Sequence, residues 1–199
     1  MDRVEELSNA FERFPGIGPR QAKRFVYYLL ARTQGDRAKL GELISRLSDD
    51  VRQCQECMRF WSGKNPVCNY CADPVREDRT LMLVEKDQDL LAVERSGSYK
   101  GRYFVLGGTL TLSGKGAIRE RELVDRVEKR AKAGLEEIVL ALSATSEGEH
   151  TADHIRGLLH PLRGHLRFYT LGRGLATGSE LEYVDATTLT GALQNRKET

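Results

Sequence analysis

Cys54 and Cys57 are separated by two residues, Cys68 and Cys71 repeat that spacing, and ten residues lie between the pairs. The chain has four cysteines in all, so its thiol chemistry is confined to this run. Soft sulfur ligands at such a spacing suit tetrahedral zinc, with Zn–S near ~2.3 Å. The two-residue gap lets the chain double back so that both sulfurs of a pair reach one ion. Gly63, Asn65 and Pro66 favour a turn between two short ribbons. Four thiolates leave no open coordination position, so the spacing predicts one structural Zn2+ per chain. Disulfides are the competing use of these thiols and need an oxidising compartment. The start of the chain, Met1-Asp2-Arg3-Val4-Glu5-Glu6, has no apolar signal core, which argues against export and for the cytoplasm.

A second group is acidic. Glu85 follows the apolar run Thr80–Val84, and Glu147 and Glu149 follow Glu137–Leu142. If both runs are strands of one parallel sheet, the three carboxylates gather at its carboxyl edge and form a hard-oxygen site suited to Mg2+. The competing use is helix capping, because carboxylates are favoured at helix N-termini. The arrangement resembles a Toprim domain, whose usual pattern is a strand-end glutamate followed later by Asp-x-Asp. Here the second element is Glu-x-Glu, which weighs against catalysis.

The third group is basic. From Arg13 through Arg32 there are five basic residues, the two ends included, and no acidic one, although the whole chain carries only +2. Phe14-Pro15-Gly16-Ile17-Gly18-Pro19 demands a tight turn. At 100° per residue, Arg20, Lys23, Arg24 and Tyr27 share one face of the helix that follows, opposite Ala22, Phe25, Val26, Leu29 and Leu30. Helix, Pro-Gly-Ile-Gly turn, helix resembles a helix-hairpin-helix DNA-binding motif. Gly16 and Gly18 would let the backbone approach a phosphate, while Arg20, Lys23 and Arg24 supply charge. Contacts of this kind grip the backbone without reading sequence. A solvated basic hairpin is the plainer alternative.

The elements that must position these groups follow from periodicity. Val4, Leu7, Phe11 and Phe14 predict a first helix, and Arg20–Ala31 a second. Leu40, Leu43, Ile44, Leu47 and Val51 predict one packing helix over 36–53. Beyond the cysteines, strands at 80–84, 103–106, 137–142 and 166–170 alternate with helices, which implies a mostly parallel sheet covered on both faces. The expected fold class is therefore α/β with a small helical N-terminal domain. The expected domains are a helix-hairpin-helix region (1–53), a zinc finger (54–77), a Toprim-like region (78–172) and a C-terminal segment (173–199). With 40% hydrophobic and 30% charged residues the balance is that of an ordinary soluble protein, and no apolar run would cross a bilayer.

Taken together, the chain resembles the bacterial RecR family of recombination mediators over essentially its whole length. The resemblance is carried by Phe14–Arg20, the cysteine quartet, Gly101–Gly108, Glu147-Gly148-Glu149, and the tail from Arg173-Gly174-Leu175 through Leu181–Asp185. It implies a non-catalytic DNA clamp, assembled as a ring-shaped tetramer or a dimer. Such a clamp works with RecO or RecF to load RecA at single-stranded gaps, in association with the nucleoid. It further implies that Glu85, Glu147 and Glu149 contact the partner, that Lys23 and Arg24 line the ring, and that the tail packs on a neighbouring subunit. The chain departs from the family pattern at Lys86-Asp87-Gln88, Thr109–Gly116 and Leu142-Ser143-Ala144. A Mg2+-dependent Toprim nuclease is the competing function, and a zinc-ribbon RNA-binding module a further one. His150, His154, His160 and His165 match no known zinc spacing and read as surface or packing residues. Trp61 reads as a shield for the metal.

Overall fold

The computed structural model describes residues 2–162, 164 and 166–196, so His165 lies outside the described residues. The chain divides into two units, Met1–Arg52 and Gln53–Thr199.

The first unit is helical. Helix α1 (Arg3–Phe11) is capped by the Asp2 side chain, which accepts from the Val4 N–H. Helix α2 (Pro19–Leu30) begins with Gly18 at the N-cap and proline at its first position, where no backbone donor is missed. The two pack through buried Ala22 and Val26, with the Phe11 and Phe25 rings edge to face at 5.7 Å. Between them Gly16 sits at φ +77°, a conformation that disfavours any side chain.

The continuous helix expected over 36–53 is instead split. Helix α3 (Gln34–Ser45) is capped by Thr33, ends at Arg46, and is followed by the single turn α4 (Leu47–Asp50). Arg46 bridges the break, held by Glu42 on one side and Asp49 on the other. The chain then runs extended as β1 (Val51–Gln53) into the first cysteine. Nor does α3 act as packing support within its unit. None of its residues is buried, and Leu43, Ile44 and Leu47 are 62–66% exposed. The core of this unit is made by α1 and α2, so the apolar side of α3–α4 is left uncovered there.

The second unit opens with β2 (Phe60–Ser62) and the turn α5 (Asn69–Ala72). Then β3 (Glu77–Val84), β4 (Gly101–Val105), β5 (Glu137–Ala141) and β6 (Arg167–Thr170) form a parallel sheet in the order β4-β3-β5-β6. Helices α6 (Asp87–Ser96), α7 (Glu120–Lys132) and α8 (Ser146–Leu158) connect the strands, and α9 (Ala186–Gln194) follows the sheet.

Alternation along the strands sorts the sheet residues onto two faces. Leu81, Leu83, Phe104, Ile138 and Leu140 pack with Leu123 and Val127 of α7 and Ile155 of α8. Met82, Val84, Tyr103, Val105 and Ala141 pack on the other side with Leu90 of α6 and with Cys54, Cys57 and Cys68. The cysteine knuckle is thus part of the core on one face of the sheet, alongside α6. Each large side chain fully buried in this way contributes about 1.5–3 kcal/mol.

Candidate metal centre and nucleic-acid interface

The turn that gathers the sulfurs is built locally. Cys54 N–H donates to the Arg59 carbonyl at 2.8 Å and Met58 N–H to the Cys54 carbonyl at 3.0 Å, while Met58 itself adopts φ +62° to close the loop. The second pair approaches from the other ribbon, with Cys68 N–H pointing at Cys54 Sγ at 3.2 Å. Ligand atoms of Cys54, Cys57, Cys68 and Cys71 all lie within 4.8 Å of one another, and Cys57 and Cys68 Sγ are 3.6 Å apart. Sulfurs around tetrahedral zinc would stand about 3.8 Å apart, given Zn–S bonds of ~2.3 Å, so the quartet fits such an ion.

Shared hydrogen bonds split the thiols. Cys54 is drawn well below the ordinary thiol value chiefly by Cys57, and Cys57 is pushed up chiefly by Cys54. A divalent cation would remove that asymmetry by favouring all four as thiolates. Trp61 packs against this cluster, and its ring lies so close over Gly63 that a Cβ there would sit 2.1 Å from it.

Sequence reasoning missed how firmly the knuckle is fastened. Arg102, the second residue of β4, is buried, with Nε donating to Asp78 at 2.8 Å. Its Nη1 donates to the carbonyls of Tyr70, Cys71 and Asp73 at 3.3, 2.9 and 3.1 Å. From α7, Arg126 donates to the Gln55 carbonyl and pairs with Glu56, which Arg130 also reaches. Phe60 N–H donates to Asp87 at the start of α6. The available signal was an arginine immediately before the apolar run Tyr103–Leu106.

The three expected acids are not brought together. Among the described residues, the cysteines are the one group of three or more His, Cys, Asp or Glu side chains placed to hold an ion. Glu85 is only 8% exposed, and its Oε1 accepts the Ser143 N–H at 2.6 Å, tying the end of β3 to the end of β5. Glu147 and Glu149 lie in the first turn of α8 rather than in a loop, where the helix dipole favours them. Glu147 is exposed, and Glu149 pairs with Arg173 at 2.7 Å. The residue between them is the tightly constrained one: a Cβ on Gly148 would stand 2.1 Å from the Ser143 carbonyl oxygen. His154 meets Glu120 at 2.9 Å.

The basic hairpin is assembled as its residue types require. No side chain caps the N-terminus of α2 at Gly18, and a Cβ on Gly16 or Gly18 would meet nothing within 4 Å. Arg20, Lys23 and Arg24 are all exposed on the helix that starts there. Among the described residues these three side chains make one contact, a long 3.5 Å hydrogen bond from Arg24 to Gln21. Open amide groups and unpaired cations on one turn and one helix make a surface complementary to an anion.

A four-stranded parallel sheet of the Toprim type, a four-thiol centre packed on one of its faces and a helix-hairpin-helix unit ahead of both in the chain define the class of protein. Three family models match: "RecR, helix-hairpin-helix" over residues 4–47, "Toprim domain" over 79–168, and "RecR, C-terminal" over 174–197. Similar curated proteins include the Recombination protein RecR of Prochlorococcus marinus (strain MIT 9303), 40% identical over 96% of this chain and 98% of that protein. The same-named proteins of Alcanivorax borkumensis, 38% identical over 98% of this chain and 95% of the relative, and of Ruegeria sp. (strain TM1040), 37% identical over 98% and 96%, agree with it. The chain belongs to the RecR family of recombination proteins. Among the described residues no helix is long and apolar enough to cross a membrane.

Proposed function

We propose that the protein is a non-catalytic, sequence-independent DNA clamp and recombination mediator that acts in the cytoplasm at the nucleoid. In this reading it works with RecO or RecF to load RecA at single-stranded gaps. Residues 1–53 bind DNA, 54–77 hold structural Zn2+, 78–172 carry the partner face, and 173–199 contact a neighbouring subunit. Gly16, Gly18, Arg20, Lys23 and Arg24 grip phosphates, and Glu85, Glu147 and Glu149 mark the region that meets the partner.

The observation that carries this reading is the open N-terminus of α2 followed by three exposed cations. A chain of net charge +2 gains a usable field when several copies present this patch to one duplex, so assembly into a ring or dimer belongs to the same proposal. The uncovered apolar side of α3–α4 supports an assembling protein. The rival Mg2+-dependent nuclease is disfavoured by the acids themselves, since Glu85 is taken by Ser143 and Glu149 by Arg173.

The test is DNA binding as a function of salt. Lys23→Ala with Arg24→Ala is expected to weaken binding and to lower the salt slope by about 2, and an unchanged slope would refute the assigned roles. Strand cleavage on adding Mg2+, abolished by Glu85→Gln, would establish the nuclease instead.

A further inference from the structure

Beyond the phosphate grip, α2 carries a feature that a backbone grip alone does not use. Tyr27 is 62% exposed, and no described residue is bonded to its hydroxyl. It lies one turn beyond Lys23 and Arg24 and two turns beyond Arg20, on the same helix face. A strand tracking along α2 therefore meets the cations first and an aromatic ring about 6 Å further on. The next residue behaves differently. The Tyr28 ring is covered by the Arg32 guanidinium at 4.4 Å, and its hydroxyl accepts from Arg32 at 2.7 Å. One tyrosine of the pair is thus occupied and the other is presented.

We infer that Tyr27 is a stacking platform for an unpaired base, so that the α2 face prefers single-stranded or gapped DNA to continuous duplex. The inference rests on the proposed DNA-binding role of α2 and specifies its ligand. In a duplex the bases are stacked inward and offer phosphate and sugar to a helix lying outside, so an exposed ring finds no π face. In an unpaired segment the bases splay out, and a ring beside a row of cations takes one on its face whatever its identity. The absence of any acid between Arg13 and Arg32 fits a polyanion and leaves nothing on this stretch to pair with a basic partner.

The experiment uses the full chain, a fluorescein-labelled duplex, and the same duplex carrying a single-stranded gap. Tyr27→Ala should weaken binding to the gapped DNA about tenfold and leave the intact duplex and the salt slope unchanged. Tyr27→Phe should restore binding, and Tyr28→Ala should leave the preference for the gap intact. Equal losses on both DNAs, or no loss on either, would overturn the stacking role. If Lys23→Ala with Arg24→Ala still weakens both DNAs in that event, the phosphate grip survives the failure. Should the wild-type protein bind neither DNA, both readings fall together.

Discussion

The Arg102 guanidinium donates to the Cys71 carbonyl at 2.9 Å, joining the start of a sheet strand to the four-cysteine cluster. The same group also holds the neighbouring Tyr70 and Asp73 carbonyls, so it supports the second cysteine pair from beneath. Arg102→Ala should lower stability by about 3 kcal/mol, because three backbone carbonyls lose one charged donor together while Asp78 keeps only Arg130. It should also speed metal release to a chelator. Arg102→Lys, a point charge without the fork, should recover only part of either effect. Equal rates of release from the two variants and the wild type would separate sheet from metal.

At the hairpin, stability and binding should part company. Gly18 is an N-cap in extended conformation with open space beside it. Gly18→Ser should therefore raise the melting temperature slightly, serine being at least as good a cap. It should nevertheless weaken DNA binding by placing a side chain where the phosphate approaches. Gly16→Ala, forced to φ +77°, should instead cost about 1 kcal/mol of stability. Paired melting and anisotropy measurements on the two variants check both halves.

In the Glu-Gly-Glu element the glycine should matter more to folding than either acid. Gly148→Ala drives a methyl into the Ser143 carbonyl, which moves only if the first turn of α8 shifts. A loss of about 2 kcal/mol in urea unfolding is expected. Exposed Glu147→Ala should stay near the wild-type midpoint.

Asp78 supplies a pH signature. Its carboxyl is held below the ordinary 3.8 chiefly by the hydrogen bond from Arg102. A group whose value is depressed on folding stabilises the protein above its unfolded value, and that contribution is lost as pH falls through the folded value. The stability gap between wild type and Asp78→Asn should thus be fully present at pH 7 and close progressively below about pH 4. A gap independent of pH would mean that the ion pair is not its source.

The parts legible in the sequence are those where residue type alone fixes the outcome. Four thiols at Cys-x-x-Cys spacing have little else to do, and the runs around Leu83, Phe104 and Leu140 are too apolar to lie outside a core. The split at Arg46 was not legible, because helical spacing of Leu40, Leu43, Ile44 and Leu47 marks a face without saying that anything covers it. Nor was the fate of Glu85. Its place at a strand end matched a metal site equally well, and the Ser143 N–H whose hydrogen bond it accepts leaves no mark in the sequence. Arg102 was overlooked because its partners are backbone carbonyls, which leave no mark in side-chain pattern.

Val105, on the border strand β4, has both of its backbone groups spoken for: its N–H donates to the Cys57 carbonyl at 2.8 Å, and its own carbonyl accepts from Arg119 at 2.8 Å. The cysteine loop therefore acts as a fender along that side of the molecule. A protein slackened there would bare a sheet margin ready to zip onto another copy. Its damage would then register first as clumping, well before the helices had melted.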